Sequence, residues 1–393
     1  MLKIIRNGEI YGPDFIGNCD ILIAGEKILR VAPAIVMPAG FTHAFEVGEI
    51  DASKKIIVPG FIDQHVHIAG GGGEGGPASR TPEITLSQLT TAGITTVVGL
   101  LGFDGVTRSM FELLAKARAL ETEGISSYIF TGAYEIPTRT ITGNIRSDLV
   151  LIDKVLGAGE IAISDHRSAQ PTLEMIIDLA AETRIGGLIG NKPGIVHIHV
   201  GEGKRGLSIL FDVIAQSDIP IKQFVPTHIN RLAGLFQEAV AFLKQGGSID
   251  LTAGITPETD SPQSLEVVQA LEILVKEKAD LGRVTVSSDS NGSLPIFDDQ
   301  GQFSRMSVSS ASVLWDDISR AVLDNVLSLP DAVSLITRNV AGLLKLLPVK
   351  GLIQAGSDAD LVLLDKNLNI DSVFARGRLM VKGGQAVVKG TFE

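Results

Sequence analysis

The chain has 393 residues, 45% of them hydrophobic and 20% charged, with a net charge of −11 and a pI near 5.2. The acidic balance argues against nucleic acid or an anionic membrane surface as partner. One cysteine, Cys19, excludes an intramolecular disulfide and a thiolate metal cage. No apolar stretch is long enough for a membrane span, and the N-terminal residues lack a signal-like apolar core. A cytoplasmic enzyme fits this balance.

Residues 1–58 read as short strand-like runs broken by turns, at Leu2–Ile5, Cys19–Ile23, Lys27–Val31 and Ile56–Val58. From residue 59 apolar strands alternate with amphipathic helices. The predicted strands are Phe61–Ile68, Thr95–Leu101, Ser127–Thr131, Ile161–Asp165, Gly194–Val200, Gln223–Thr227, Ser248–Ala253 and Arg283–Ser288. Eight such units close into a (β/α)8 barrel. Between them, Thr81 followed by Pro82 reads as one helix start. Ser109 with Glu112 reads as a capping box at another. Arg231–Gln245 and Ser264–Lys278 have helical spacing. After about residue 345 the strand-and-turn pattern returns at Asp360–Leu364, Ser372–Ala375, Met380–Val381 and Ala386–Val388. The expected organisation is a barrel over 59–344, with a small β domain built from residues 1–58 and 345–393. The glycine run Gly70–Gly76, interrupted by Glu74, is the one biased segment.

Chemistry concentrates where the predicted strands end. His65 and His67 sit at i and i+2 and therefore share one strand face. His197 and His199 repeat this pattern on the fifth strand. Glu160 opens the fourth strand and Asp165-His166-Arg167 closes it. His228 and Arg231 follow the sixth strand, and Asp289 follows the eighth. Six of the seven histidines lie at or beside strand ends; only His43 does not. Barrel active sites are built at the C-terminal ends of strands. A mouth dense in imidazole and carboxylate is a metal site, and more than four ligands allow two divalent ions. Zinc suits these donors. Parity alone leaves His197 and His199 open as the fifth-strand ligand. The bland alternatives are a half-buried aromatic at Tyr134, a solvated acid at Glu74, and a structural role for His166. Asp63 is either a turn residue or an orienter of a histidine.

Taken together, His65-Val66-His67, the single histidines after strands five and six, the aspartate after strand eight and the tail Gly351–Val362 resemble the amidohydrolase superfamily. The runs Pro59–His67, Gly70–Gly76, Thr131–Tyr134, Ile163–Ser168, Pro226–His228 and Ser287–Ser293 resemble its isoaspartyl dipeptidase family, across essentially the whole chain. The resemblance implies hydrolysis of β-aspartyl dipeptides at a binuclear metal centre in a homo-oligomer. By motif it assigns His65 and His67 to the more buried metal and His199 and His228 to the more exposed one. Asp289 would be a ligand and proton shuttle, Tyr134 would polarise the scissile carbonyl, and Glu74 would grip the substrate α-amino group. Arg167, Arg231 and Ser293 would bind substrate carboxylates.

Two positions depart from the family pattern. A carboxylated lysine is expected as the metal bridge where this chain has Glu160, which offers the same two-oxygen head on a shorter stem. Phe103 stands where a smaller polar residue is expected, and would narrow the pocket and alter the preferred second residue. The competing readings are a dihydroorotase- or hydantoinase-like reaction on a cyclic amide or N-acyl amino acid, and a non-catalytic assembly protein of the same fold. Glu74, Arg167 and Arg231 favour a substrate with a free amine and two carboxylates. The near-complete ligand set disfavours loss of catalysis.

Overall fold

The computed structural model describes residues 2–38, 46–258, 260–297 and 303–393; His43 lies outside the described residues. Strands β1 (Leu2–Tyr11), β2 (Phe15–Ala24), β3 (Lys27–Ala32), β4 (Val47–Asp51) and β5 (Ile56–Pro59) open the chain. The first two run longer than their apolar cores predict. β4 has no sequence signal: Val47-Gly48-Glu49-Ile50-Asp51 is short, with no buried residue, and it is a strand because it pairs in parallel with β1.

The barrel strands are β6 (Phe61–Val66), β7 (Ile94–Gly99), β8 (Ser126–Thr131), β9 (Val155–Ile163), β10 (Ile195–Val200), β11 (Phe224–Thr227), β12 (Ile249–Thr252) and β13 (Val284–Ser287). The first six form one continuous parallel sheet, and β12 pairs with β13. Side chains and loops complete the closure. The Asn230 amide donates to the Thr252 carbonyl (3.0 Å) and accepts from its N–H (2.9 Å), linking the end of β11 to β12. At the other seam Val66 bridges Ser290, and the His67 N–H donates to the Ser290 carbonyl at 3.0 Å. Inside the barrel the buried Asp250 carboxylate accepts from Gln64 (2.7 Å), Thr227 (2.7 Å), Thr285 (2.6 Å) and Ser287 (2.5 Å). Burying a carboxylate costs several kcal/mol unless it is hydrogen-bonded, and four donors from three strands meet that need.

After β13 the chain makes a hairpin, β14 (Ser293–Phe297) with β15 (Phe303–Val308). It then returns through helices to β16 (Leu361–Leu364), β17 (Ile370–Ala375), β18 (Arg378–Lys382) and β19 (Gln385–Ala386). β16 pairs antiparallel with β5, so both chain ends share one nine-stranded sheet. Phe61 of β6 is fully buried and stacks on Trp315 at 4.8 Å. The Trp315 indole donates to the Leu368 carbonyl at 2.7 Å, joining a barrel helix to the terminal sheet.

The helix predicted from Thr81 starts later, at Leu86, under a Thr85–Gln88 capping box. Thr81 is spent elsewhere: its hydroxyl accepts from the Gly71 N–H (2.7 Å) and donates to the Asn291 carbonyl (2.9 Å). The Ser109–Glu112 box does start a helix, Met110–Glu123. The predicted helices at 231–245 and 264–278 shorten to Ala233–Lys244 and Val267–Lys276.

Candidate metal centre and substrate pocket

Glu160 does not open its strand. β9 begins at Val155, so Glu160 lies near the C-terminal end, level with the other site residues. Gly157 and Gly159 hid the strand's start from a reading based on apolar side chains. Glu160 is 1% exposed and its carboxylate is ringed by imidazoles. Oε2 lies 3.5 Å from His65 Nε2, 3.2 Å from His199 Nδ1 and 3.4 Å from His228 Nε2, while Oε1 lies 3.7 Å from His67 Nε2. Asp289 closes the other side, with Oδ1 3.4 Å from His65 Nε2 and 3.1 Å from His67 Nε2. The six predicted ligands are therefore one cluster. Three triads in it have ligand atoms all within 4.8 Å of one another: His65–His67–Glu160, His65–His228–Asp289 and Glu160–His199–His228.

Of the two histidines left open on β10, His199 reaches Glu160. His197 lies behind His65, with Nε2 2.9 Å from His65 Nδ1, and this contact aims His65 Nε2 into the cluster. His228 is held by Thr252, whose hydroxyl is 2.8 Å from Nδ1. Asp63 is an orienter: it accepts from the His65 N–H (3.2 Å), the Ser288 N–H (3.3 Å) and the Ser288 hydroxyl (2.5 Å), tying β6 to the loop that carries Asp289. His166 is exposed on its turn, outside the cluster. His228 and Asp289 have φ of 61° and 50°, left-handed values that His, Asp and Asn tolerate better than most side chains.

The electrostatics match a cation site. Burial opposes ionisation of Glu160, but His65, His199 and His228 outweigh it and hold the carboxyl well below its usual range. Asp289 is held down in the same way, against burial, by His228, His65 and His67. Burial and the neighbouring Arg231 keep His228 neutral, and burial with His65 keeps His197 neutral. Burial disfavours the His65 cation, yet Glu160 and Asp289 push its pKa up to about 9. Two buried ring nitrogens, His65 Nε2 and His67 Nδ1, have no hydrogen-bond partner. Four imidazoles around two ionised carboxylates, with an orphaned ring nitrogen aimed among them, fit divalent metal.

A narrow recess of about 50 Å3 opens above the cluster. Tyr134 is buried there, its hydroxyl 2.9 Å from His199 Nδ1. Burial and the nearby Glu160 keep it protonated, so it is available as a donor. Arg167 is gripped by Asp165 through Nε (3.0 Å) and Nη2 (2.7 Å) and reaches Glu74 Oε1 at 3.1 Å. Ser293 donates to Glu74 Oε2 at 3.0 Å, and Arg231 reaches Asp289 Oδ2 at 3.3 Å. The predicted substrate residues thus face one another across the recess. Asp165 was not on the predicted list, although it fixes Arg167 and lies 2.9 Å from His199 Nε2. Its place at a strand end was the available signal.

The glycine run is a tight wall rather than a linker. Gly72 has φ 77°, and a Cβ there would lie 2.3 Å from the Ser79 carbonyl. The buried Arg108 guanidinium ties the wall down through the carbonyls of Ala69, Gly71 and Thr81. Gly102 is required by the cluster itself, since a Cβ would come within 2.8 Å of His67 Cε1. Next to it, Phe103 sits edge-on to Tyr134 with centroids 6.4 Å apart, 40% exposed on the pocket lining.

The β-aspartyl dipeptidase of Fervidobacterium islandicum, solved with a β-Asp-Leu dipeptide, is 44% identical over 98% of both chains and superposes with a TM-score of 0.88. The chain belongs to the β-aspartyl dipeptidase family. An amidohydrolase family model matches residues 262–380. The dihydropyrimidinase of Brevibacillus agri shares the fold (TM-score 0.69, 99% of this chain and 97% of that one) at 18% identity. The dihydroorotase of Staphylococcus aureus is 36% identical over 96 residues, 24% of this chain, and the match spans only 20% of that enzyme's length. Family membership therefore rests on the dipeptidase, which alone of these three combines high identity with full coverage.

Proposed function

We propose that this protein hydrolyses the isopeptide bond of β-aspartyl dipeptides at a binuclear metal centre, using a 59–344 barrel capped by a β domain from both chain ends. The observation that carries the reading is Glu160, one carboxylate whose two oxygens face four histidines beneath a pocket lined by Arg167, Arg231 and Glu74. His65, His67, Glu160 and Asp289 would hold the inner ion and His199, His228 and Glu160 the outer one. Such ions, when bound, supply Lewis acidity and lower the pKa of water so that hydroxide is available near neutral pH. Zinc is the metal these donors suit best.

The chain's own groups account for the rest. Asp289 takes the proton of the attacking water on its carboxylate and returns it to the leaving amine. Tyr134 donates its hydroxyl hydrogen to the scissile carbonyl oxygen as charge develops there. Arg167, planar and pre-aimed by Asp165, binds a substrate carboxylate, with Arg231 and Ser293 beside it. Glu74 receives the free α-amino group and exchanges its contacts with Arg167 and Ser293 for that ammonium. A cyclic amide or N-acyl amino acid has no free ammonium for Glu74 to receive, which disfavours the dihydroorotase- or hydantoinase-like alternative. Phe103 supplies an apolar wall for the second residue. Phe103→Ala should therefore lower kcat/KM for β-Asp-Leu about tenfold while β-Asp-Gly changes little; an equal loss for both would remove this role. The proposal extends to a cytoplasmic homo-oligomer. Among the described residues no helix is long and apolar enough to cross a membrane, and the one cysteine, Cys19, is buried and free.

The test is hydrolysis of β-Asp-Leu against α-Asp-Leu by protein of measured metal content. Cleavage of the β-peptide alone, with two metals per chain, is expected. Cleavage of neither, with turnover of dihydroorotate or a hydantoin, would replace this reading.

A further inference from the structure

At the end of the barrel opposite the metal cluster, where β10–β13 begin, lies a second cleft of about 840 Å3. Six cations line it: Arg184, Lys192, Lys222, Arg283, Arg338 and Lys345. The only lining acid among the described residues is Asp280, paired with Arg283 at 3.2 Å. Arg338 is paired with Asp14 at 2.7 Å. The other four cations have no carboxylate within 4 Å among the described residues.

In a chain of net charge −11, four uncompensated cations around one concavity are a local reversal of sign. The fold holds them together. Lys345 Nζ donates to the Lys192 carbonyl at 2.9 Å, and Lys192 Nζ donates to the Ile152 carbonyl. Lys192 pays for its position, since burial lowers its pKa with only a distant Asp153 to oppose the shift. The floor is polar and buried, at Gln223, Ser248 and Thr285. One wall is apolar, with Leu188 (64% exposed) and Leu347 (39%) facing the cleft.

We propose that this cleft binds a small, multiply phosphorylated molecule with an apolar body, of the nucleoside triphosphate class. Phosphates would neutralise the lysines and arginines, and the body would cover the leucine wall. The site is concave and of small-molecule size, not a stripe along the surface, and the overall negative charge repels long polyanions. The site is separate from the catalytic pocket and independent of the substrate assigned there.

The test uses the metal-loaded protein and calorimetric titration with magnesium adenosine triphosphate, inorganic tripolyphosphate, and sodium chloride at matched ionic strength. Saturable binding of one nucleotide per chain is expected, tripolyphosphate weaker, with affinity at least tenfold lower in Lys192→Met/Lys345→Met and dipeptide hydrolysis unchanged. Lys222→Ala, on an exposed position, provides a second variant whose folding is not at risk. Heat no greater than the salt control would overturn the proposal. So would nucleotide affinity unaltered in both variants, or purely competitive inhibition of dipeptide hydrolysis, which would put the anion on Arg167 and Arg231 instead.

Discussion

In the proposed centre Glu160 would do with one short side chain what the family resemblance leads one to expect of a longer carboxylated lysine. Its position near the end of β9, within 3.2–3.7 Å of four imidazole nitrogens, makes that stem long enough. Glu160→Ala should leave less than two tightly bound metals per chain after gel filtration, read by elemental analysis, and should lower kcat/KM by more than ~100-fold, beyond the loss typical of an outer-shell residue. Two metals retained would sink the bridging role. Tyr134 offers a separate test, because its hydroxyl stays protonated in a buried site. Tyr134→Phe should lower kcat by ~10²–10³-fold with KM nearly constant, as for loss of one donor to a developing oxyanion. A rise in KM alone would make it a binding residue. His65 and His67 were legible because i, i+2 spacing needs no tertiary information. Asp165 and Thr252 were not, because their roles depend on where a distant histidine ring ends up.

Elements were legible where side chains carried the pattern. β9 was read two turns of pleat too short because its first half contains Gly157 and Gly159, and β4 was missed because its pairing with β1, not its composition, makes it a strand. The joint between barrel and terminal sheet is a second case. Lys350, 3% exposed, donates to Asp360 (2.6 Å) and Ser126 (2.6 Å) and pairs with Asp358 (2.7 Å). Burial opposes ionisation of Asp358, but Lys350 and Lys27 outweigh it and lower its pKa. The folded value thus lies below the unfolded one, so this contribution to stability is complete above about pH 4 and fades as pH falls through the folded value. Lys350→Ala, which leaves the buried Asp360 without its cation and Asp358 with Lys27 alone, should cost about 3–5 kcal/mol in denaturant unfolding at pH 7. The deficit should shrink below pH 4. A deficit independent of pH would point to lost packing instead.

At the scale of the whole molecule, a cluster of four histidines and two carboxylates fastens strands β6, β9 and β10 and the loops after β11 and β13. Cations that bind only the folded arrangement stabilise it by mass action. Chelation should therefore abolish hydrolysis and lower Tm by several degrees, and added zinc should restore both. Full activity after exhaustive chelation, with metal content verified, would exclude a metal centre.

The sequence by itself determined the eight alternating units, the strand-end histidines and the return of β structure after residue 345, because periodicity and residue chemistry are local properties. It also carried enough of the family pattern to point to the dipeptidase pocket. The family pattern had already favoured His199 over His197, but only the tertiary structure decided that His197 lies behind His65, that Asp63 and Asp165 orient other groups, and that six cations line a cleft at the far end of the barrel. Those outcomes depend on distances between residues remote in the chain, and no local pattern encodes them.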